Sequence, residues 1–107
     1  MSLKKKEIRE AFRKSVFKRD GNKCKFCNIT TNLDAHHITD RNDMPNGGYV
    51  KENGITLCEE HHKQAELWHI SNGKDHVNGM TPADLYKKIY GSLDSALKAS
   101  YKLDKSY

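Results

Sequence analysis

Two short spacings constrain this chain more than any other feature: Cys24-Lys25-Phe26-Cys27, and Cys58 three residues ahead of His61. Each sets a pair of soft or borderline ligands on one tight turn, and two such knuckles together supply the four donors of a closed tetrahedral zinc shell. Cys24, Cys27, Cys58 and His61 are therefore read as a structural Cys3His zinc site. Alone, the first pair is also compatible with a redox motif or two buried thiols, but a redox motif wants a thioredoxin-like βαβ context that this pattern does not offer. An odd count of three cysteines argues against a disulfide framework. With 107 residues, 36% of them apolar and 8% aromatic, the chain is expected to be one domain, 1–107, near the size at which metal staples are common.

Between and around the knuckles the chain reads as an α+β fold. Residues 4–19 are predicted helical, with Ile8, Ala11, Phe12 and Val16 forming one apolar stripe. Asp20-Gly21-Asn22 ends that helix as a turn. A first strand is expected within 29–38, most clearly from Leu33 to Ile38, and a second at Ile55-Thr56-Leu57-Cys58. The segment 40–54 is a loop, since Pro45 and Gly47-Gly48 exclude a continuous strand or helix. Glu59 and Glu60 then open a helix that runs to about His69, where acids complement the helix dipole. After a polar loop that leaves His76 exposed, Thr81-Pro82-Ala83-Asp84 is a strong helix start. That last helix is expected over about 81–103, with Leu85, Ile89, Leu93, Ala96 and Leu97 on one face and Gly91 as the place for a kink or break. Tyr86, Tyr90 and Tyr101 are read as core residues, with stacking on bases as the alternative.

The net charge of +5 is uneven: residues 1–25 hold ten Lys/Arg against three acids, whereas 26–80 hold four against eight. A basic arm beside an acidic, histidine-rich centre suits a chain that grips phosphates at its edge and a cation in its middle. Lys5, Lys6, Arg9, Arg13 and Lys14 are the candidate DNA contacts, with an ordinary solvated helix face as the alternative. No apolar run reaches the about 20 residues of a membrane span, and the N-terminus lacks an apolar signal region, so a cytoplasmic setting without a membrane partner is expected.

In order along the chain stand His36-His37, Asn53 and His62, interleaved with the Cys-x-x-Cys and Cys-x-x-His knuckles. Over roughly 20–70 this pattern resembles the HNH endonucleases, the His-Me finger nucleases. The resemblance implies a small ββα-metal core, a two-stranded antiparallel hairpin plus a helix, flanked by N- and C-terminal helices. It also implies hydrolysis of DNA, expected to be double-stranded, to 5′-phosphate and 3′-hydroxyl ends. His37 would be the general base, a role suited by its near-neutral reference pKa. His62 and His36 would hold a catalytic divalent ion, Mg2+, Mn2+, Ni2+ or Zn2+. Glu66, one turn after His62, would complete that shell or lie on a solvated face. His69 shares the same face and is read first as packing. Asn53 would tie its side-chain amide to backbone across the loop and so fix where His37 points. Two features sit less easily. Adjacent residues of a regular strand face opposite sides, which sets His36 against His37. His61 stands where many HNH chains carry a cysteine, which leaves an exchange of roles between His61 and His62 open. The competing reading is a non-catalytic zinc-stapled DNA-binding module. A zinc-stabilised protein-interaction domain explains the knuckles but not the basic arm. Recruitment by larger phage or restriction machinery is compatible with either DNA-directed reading.

Overall fold

The structure is a computed structural model and describes residues 5–103; the first residue of the predicted 4–19 helix, Lys4, and the ends of the 1–107 domain lie outside it. Six regular elements follow in order: α1 (Lys5–Arg19), β1 (Leu33–His37), β2 (Gly54–Cys58), α2 (Glu59–Ile70), α3 (Pro82–Lys88) and α4 (Leu93–Tyr101). Three 3-10 turns, Arg41–Asp43, Pro45–Gly48 and Lys51–Asn53, carry the chain between the strands. The fold class is α+β, as expected. None of the described helices is long and apolar enough to cross a membrane.

β1 and β2 pair antiparallel, with Leu33 opposite Cys58 and His37 opposite Gly54. All of β2 is buried because α1 covers one face of the hairpin and α2 the other. Ile8, Phe12 and Val16, spaced by four, are the buried stripe of α1, whereas Ala11 is exposed and drops out of the predicted set. The close approach of α1 depends on Gly54: a Cβ there would lie 2.5 Å from Val16 Cγ2 and 2.8 Å from Phe12 Cζ, far inside contact distance. Ile38, Ile55, Leu57, Leu85 and Ala96 join Cys24 and Cys58 in one core.

Asp20 does more than end a helix. Its buried carboxylate accepts from the Thr56 N–H at 2.9 Å and from Arg19, whose guanidinium also donates to the carbonyls of Lys51 and Gly54. Lys25 N–H donates to the Thr56 carbonyl at 3.1 Å. The outer edge of β2 is thus occupied by side chain and knuckle backbone, which satisfies groups a two-stranded sheet would leave open. Among the described residues no hydrogen bond to the outer edge of β1 gives it such cover, and the candidate site lies there.

The helix expected over 81–103, with Gly91 as the place for a kink or break, is broken into two helices. α3 starts at the expected Thr81 capping box and ends in a Schellman arrangement, with Gly91 N–H donating to the Tyr86 carbonyl at 2.8 Å and Tyr90 N–H to Lys87 at 3.1 Å. The left-handed position falls on Tyr90 (φ 57), one residue before Gly91, and Ser92 with Ser95 caps α4 afresh. Tyr86 is buried as expected, but Tyr90 and Tyr101 are 95% and 63% exposed, so the break turns both away from the core.

Candidate functional site

The first turn of α2 serves two clusters at once. His61 and His62 are adjacent, hence about 100° apart around the helix axis, and they face different neighbours. His61 turns to the knuckles: its Nδ1 is 3.2 Å from Cys58 Sγ and 3.7 Å from Cys24 Sγ, while Cys27 Sγ is 3.6 Å from Cys58 Sγ. Bonds of about 2.3 Å to sulfur and about 2.0 Å to nitrogen give tetrahedral edges of about 3.8 Å (S···S) and about 3.6 Å (S···N), so these separations fit one zinc ion. The four donor atoms all lie within 4.8 Å of one another and could hold a metal ion, as expected for the zinc staple.

The electrostatics of this cluster point the same way. Burial works to raise the Cys24 thiol, but backbone N–H groups of Phe26, Cys58 and Cys27 outweigh it and leave it below its usual value. At Cys27 the Ile29 N–H pulls downward, yet desolvation and the crowding of Cys24 and Cys58 prevail and raise it. Sulfurs that oppose one another's ionisation are relieved by a shared cation. Phe26 stacks on the His61 ring at 5.3 Å and fixes its plane.

His62 turns the other way, to the open edge of β1. There His36 Nδ1 lies 3.5 Å from Glu66 Oε1, His62 Nε2 lies 3.7 Å from the same oxygen, and His62 Nε2 is 3.2 Å from Asp34 Oδ2. His36, His62 and Glu66 are the second group that could hold a metal ion, and the assignment of His61 and His62 to separate clusters keeps their roles distinct. Two imidazoles and a carboxylate, at separations near the about 3.4 Å edges of a tetrahedral shell, are a donor set suited to a borderline divalent metal. Burial, then the neighbouring His62, His69 and His37, pushes His36 down to about 3, so its ring is neutral and able to donate a lone pair. His69 packs 5.3 Å from the His36 ring and lines the same space.

The strand is regular here, so His36 and His37 do face opposite sides. His36 points toward α2; His37 points toward α1, stacked on Phe12 at 4.4 Å with Tyr49 edge-on at 4.9 Å. Both nevertheless line one cavity of about 360 Å³, whose walls include Asp34, Arg41, His62 and Glu66 but no residue of β2. A cavity along the unpaired edge of β1 reaches the residues of both faces, which removes the conflict between the two histidines. Burial, then the Arg41 charge, pushes His37 down to about 4 against the pull of Asp40 and Asp34, well below the near-neutral value expected.

Asn53 is fully buried and spends its whole amide. Its Oδ1 accepts from Thr39 N–H (2.9 Å) and Tyr86 OH (2.8 Å), its Nδ2 donates to the carbonyls of Thr39 (3.0 Å) and Gly48 (3.3 Å), and its own carbonyl accepts from Ile38 N–H (2.9 Å). These bonds fix the two residues that follow His37. Gly48, at φ +65, has no room for a Cβ, which would come 2.7 Å from Asn53 Nδ2.

The five basic candidates of α1 divide. Arg9 and Arg13 line a groove that continues from His37 and Arg41, and Lys5 joins Arg9, Arg41 and Tyr49 in its extension. Lys6 and Lys14 fall on the other side of the helix, in a depression shared with Glu7 and Glu10. Sequence reading missed Asp34, Arg41, Tyr49 and Tyr86; only Arg41, a cation four residues after His37, carried a signal that could have been used. No family model, curated protein or solved structure matches the chain.

Proposed function

We propose that the chain is a metal-dependent DNA endonuclease of the HNH type, with its ββα-metal core formed by β1, β2 and α2. The observation that carries this reading is the single cavity along the free edge of β1, into which a neutral histidine, a His2Glu donor set and a groove of arginines all open. A zinc-stapled binding module would need the groove but not the other two.

His36, His62 and Glu66 would hold the catalytic divalent ion, with the Asp34 carboxylate beside the same His62 Nε2 at 3.2 Å. Held by these residues, a divalent ion would supply positive charge against the negative charge that builds on the phosphate and its leaving group. His37 accepts a proton from water as the new P–O bond forms and the P–O3′ bond breaks, and the 3′ oxygen takes up a proton from solvent. Phe12 and Tyr49 hold the His37 ring, while Asn53 holds the backbone that follows it. A general base must be unprotonated before the step, and burial keeps His37 so at physiological pH. Arg9, Arg13 and Lys5 would lead the phosphate backbone away from the site over α1.

Incubation of purified protein with supercoiled plasmid, with Mg2+, Mn2+ or EDTA, tests the reading. Metal-dependent nicking or linearisation with 5′-phosphate ends is the expected result. Salt-sensitive DNA binding without cleavage under any metal would make the chain a zinc-stapled binding module instead.

A further inference from the structure

Arg19 and Arg41 show what a spent and an unspent guanidinium look like in this fold. Arg19 uses its donors on both oxygens of Asp20 and on two backbone carbonyls, and its role is to tie α1 to β2. Arg41 is exposed, makes one side-chain hydrogen bond, a long one of 3.3 Å to Tyr49 OH, and forms no ion pair with any carboxylate among the described residues. A guanidinium offers five N–H donors, so most of its capacity is unused.

Its position is specific. Arg41 is the one Lys or Arg among the described residues lining the His36–His37 cavity, and it also lines both grooves that run from there to Arg9, Arg13 and Lys5. It sits on a 3-10 turn that Asp40 caps by accepting from Asn42 N–H at 2.8 Å, so its backbone is anchored at the mouth of the cavity. Tyr49, which holds the guanidinium, packs edge-on against the His37 ring. Burial works to raise the Tyr49 phenol, but Arg41 and Arg9, which line one groove with it, outweigh it and leave it below its usual value.

We infer that Arg41 is a substrate-binding residue that grips the phosphodiester at the cavity mouth, across from the His36–His62–Glu66 group, and hands its neighbouring phosphate to Arg9 and Arg13. The ligand class is a phosphodiester anion, to which a planar guanidinium can present two parallel donors. The inference rests on the nuclease reading for the identity of its substrate. The charge layout agrees with a one-sided grip: beyond His69 the cavity is continued by Asp40, Asp43 and Trp68, and no Lys or Arg stands among the described residues that line it.

The test compares wild type with Arg41→Ala, Arg41→Lys and Tyr49→Phe, and with a Lys6→Ala/Lys14→Ala control, all zinc-loaded. Plasmid cleavage in Mn2+ gives kcat, and the anisotropy of a short fluorescein-labelled duplex, without added Mn2+, gives the salt dependence of binding. Arg41→Ala should lower kcat by about a hundredfold, the cost of one donor at a reacting oxyanion. It should also flatten the salt slope by about one unit. Arg41→Lys should keep the slope and recover part of kcat, while the control and Tyr49→Phe should leave the slope unchanged. In a cleaving enzyme, an Arg41→Ala variant with an unchanged slope overturns the phosphate contact. A lowered kcat matched by Tyr49→Phe would then assign Arg41 to the support of His37, and an unchanged kcat would leave the nuclease reading standing without it. A changed slope with unchanged kcat overturns the grip at the scissile position. If wild type cleaves nothing with any metal while Arg41→Ala still flattens the slope, the nuclease reading falls and the phosphate contact stands.

Discussion

The two donor clusters of this chain share α2 and differ in almost everything else. The Cys24–Cys27–Cys58–His61 group has four donors, three of them sulfur, drawn from a turn, a strand end and a helix, enough to fill a tetrahedral shell although Cys27 is exposed. The His36–His62–Glu66 group has three donors, no sulfur, and a cavity where a fourth would stand. A closed soft shell spends the metal on folding, and an open harder one leaves coordination positions for something that comes and goes. Because His61 and His62 are neighbours on one helix, the closed cluster also fixes the rotation of the open one. Staple and site are separable in chemistry but not in geometry.

The largest way to break this comparison is to remove the staple. Cys58→Ser should lose one equivalent of zinc and cooperative thermal unfolding with it, since structural zinc contributes roughly 10–16 kcal/mol in small zinc domains, as much as a whole domain's stability. Native mass spectrometry and a melting curve check this; unchanged zinc content and Tm would rule the cluster out as a staple. His62→Ala should leave that zinc and the melt in place, yet abolish binding of the second ion, read by calorimetric titration, and cleavage with it. His37→Ala separates base from ligand. It should keep the second ion and lose about two to four orders of magnitude in cleavage rate. Retention of the ion by His36→Ala and its loss in His37→Ala would show the adjacent histidines to be assigned the wrong way round.

A milder change sharpens the contrast from the side of α1. Gly54→Ala pushes a methyl into Val16 and Phe12 and should cost about 1–3 kcal/mol in a denaturant melt. Because Phe12 stacks on His37 while the knuckles lie elsewhere, cleavage should fall with zinc stoichiometry unchanged. The smallest effect is expected on α1 itself. Reversing Arg9 and Arg13 should flatten the salt dependence of DNA binding by roughly one unit per contact, whereas reversing Lys6 and Lys14 should move it little. Equal slopes for the two pairs would return the helix to a solvated face.

What could be read in the sequence was what local chemistry determines. The knuckle spacings, the Thr81-Pro82 helix start and the four-residue spacing of Ile8, Phe12 and Val16 each carry their structure within a turn or two. The parts that could not be read depend on distant partners. Asp20 looks like a turn residue, and nothing near it says that its carboxylate will meet Thr56, 36 residues on. The Tyr86 hydroxyl finds Asn53 across 33 residues, and the Arg41–Tyr49 pair exists only because successive 3-10 turns fold the loop back. The break after α3 was half legible. Gly91 marked the place, but the left-handed residue is Tyr90, set by where the Schellman bonds close and not by which residue adopts that conformation most readily. At the candidate site, residue types were legible and directions were not. Which face His36 and His37 take, and that an open strand edge lets both reach one cavity, follow from the pairing of β1 with β2 alone.

The shared first turn of α2 also has a consequence for the order in which the two clusters would take up metals. As the chain is made, Cys24 and Cys27 emerge first and hold only half a shell. The zinc loop closes when Cys58, 31 residues after Cys27, and then His61 arrive. Closing it ends the freedom of β1 and all three 3-10 turns in one step. His62 and Glu66, which follow on the same helix, would then be held beside His36. On the proposed reading the two ions would be loaded in sequence, and a chain kept short of zinc would be unable to take up the second metal however abundant that metal is.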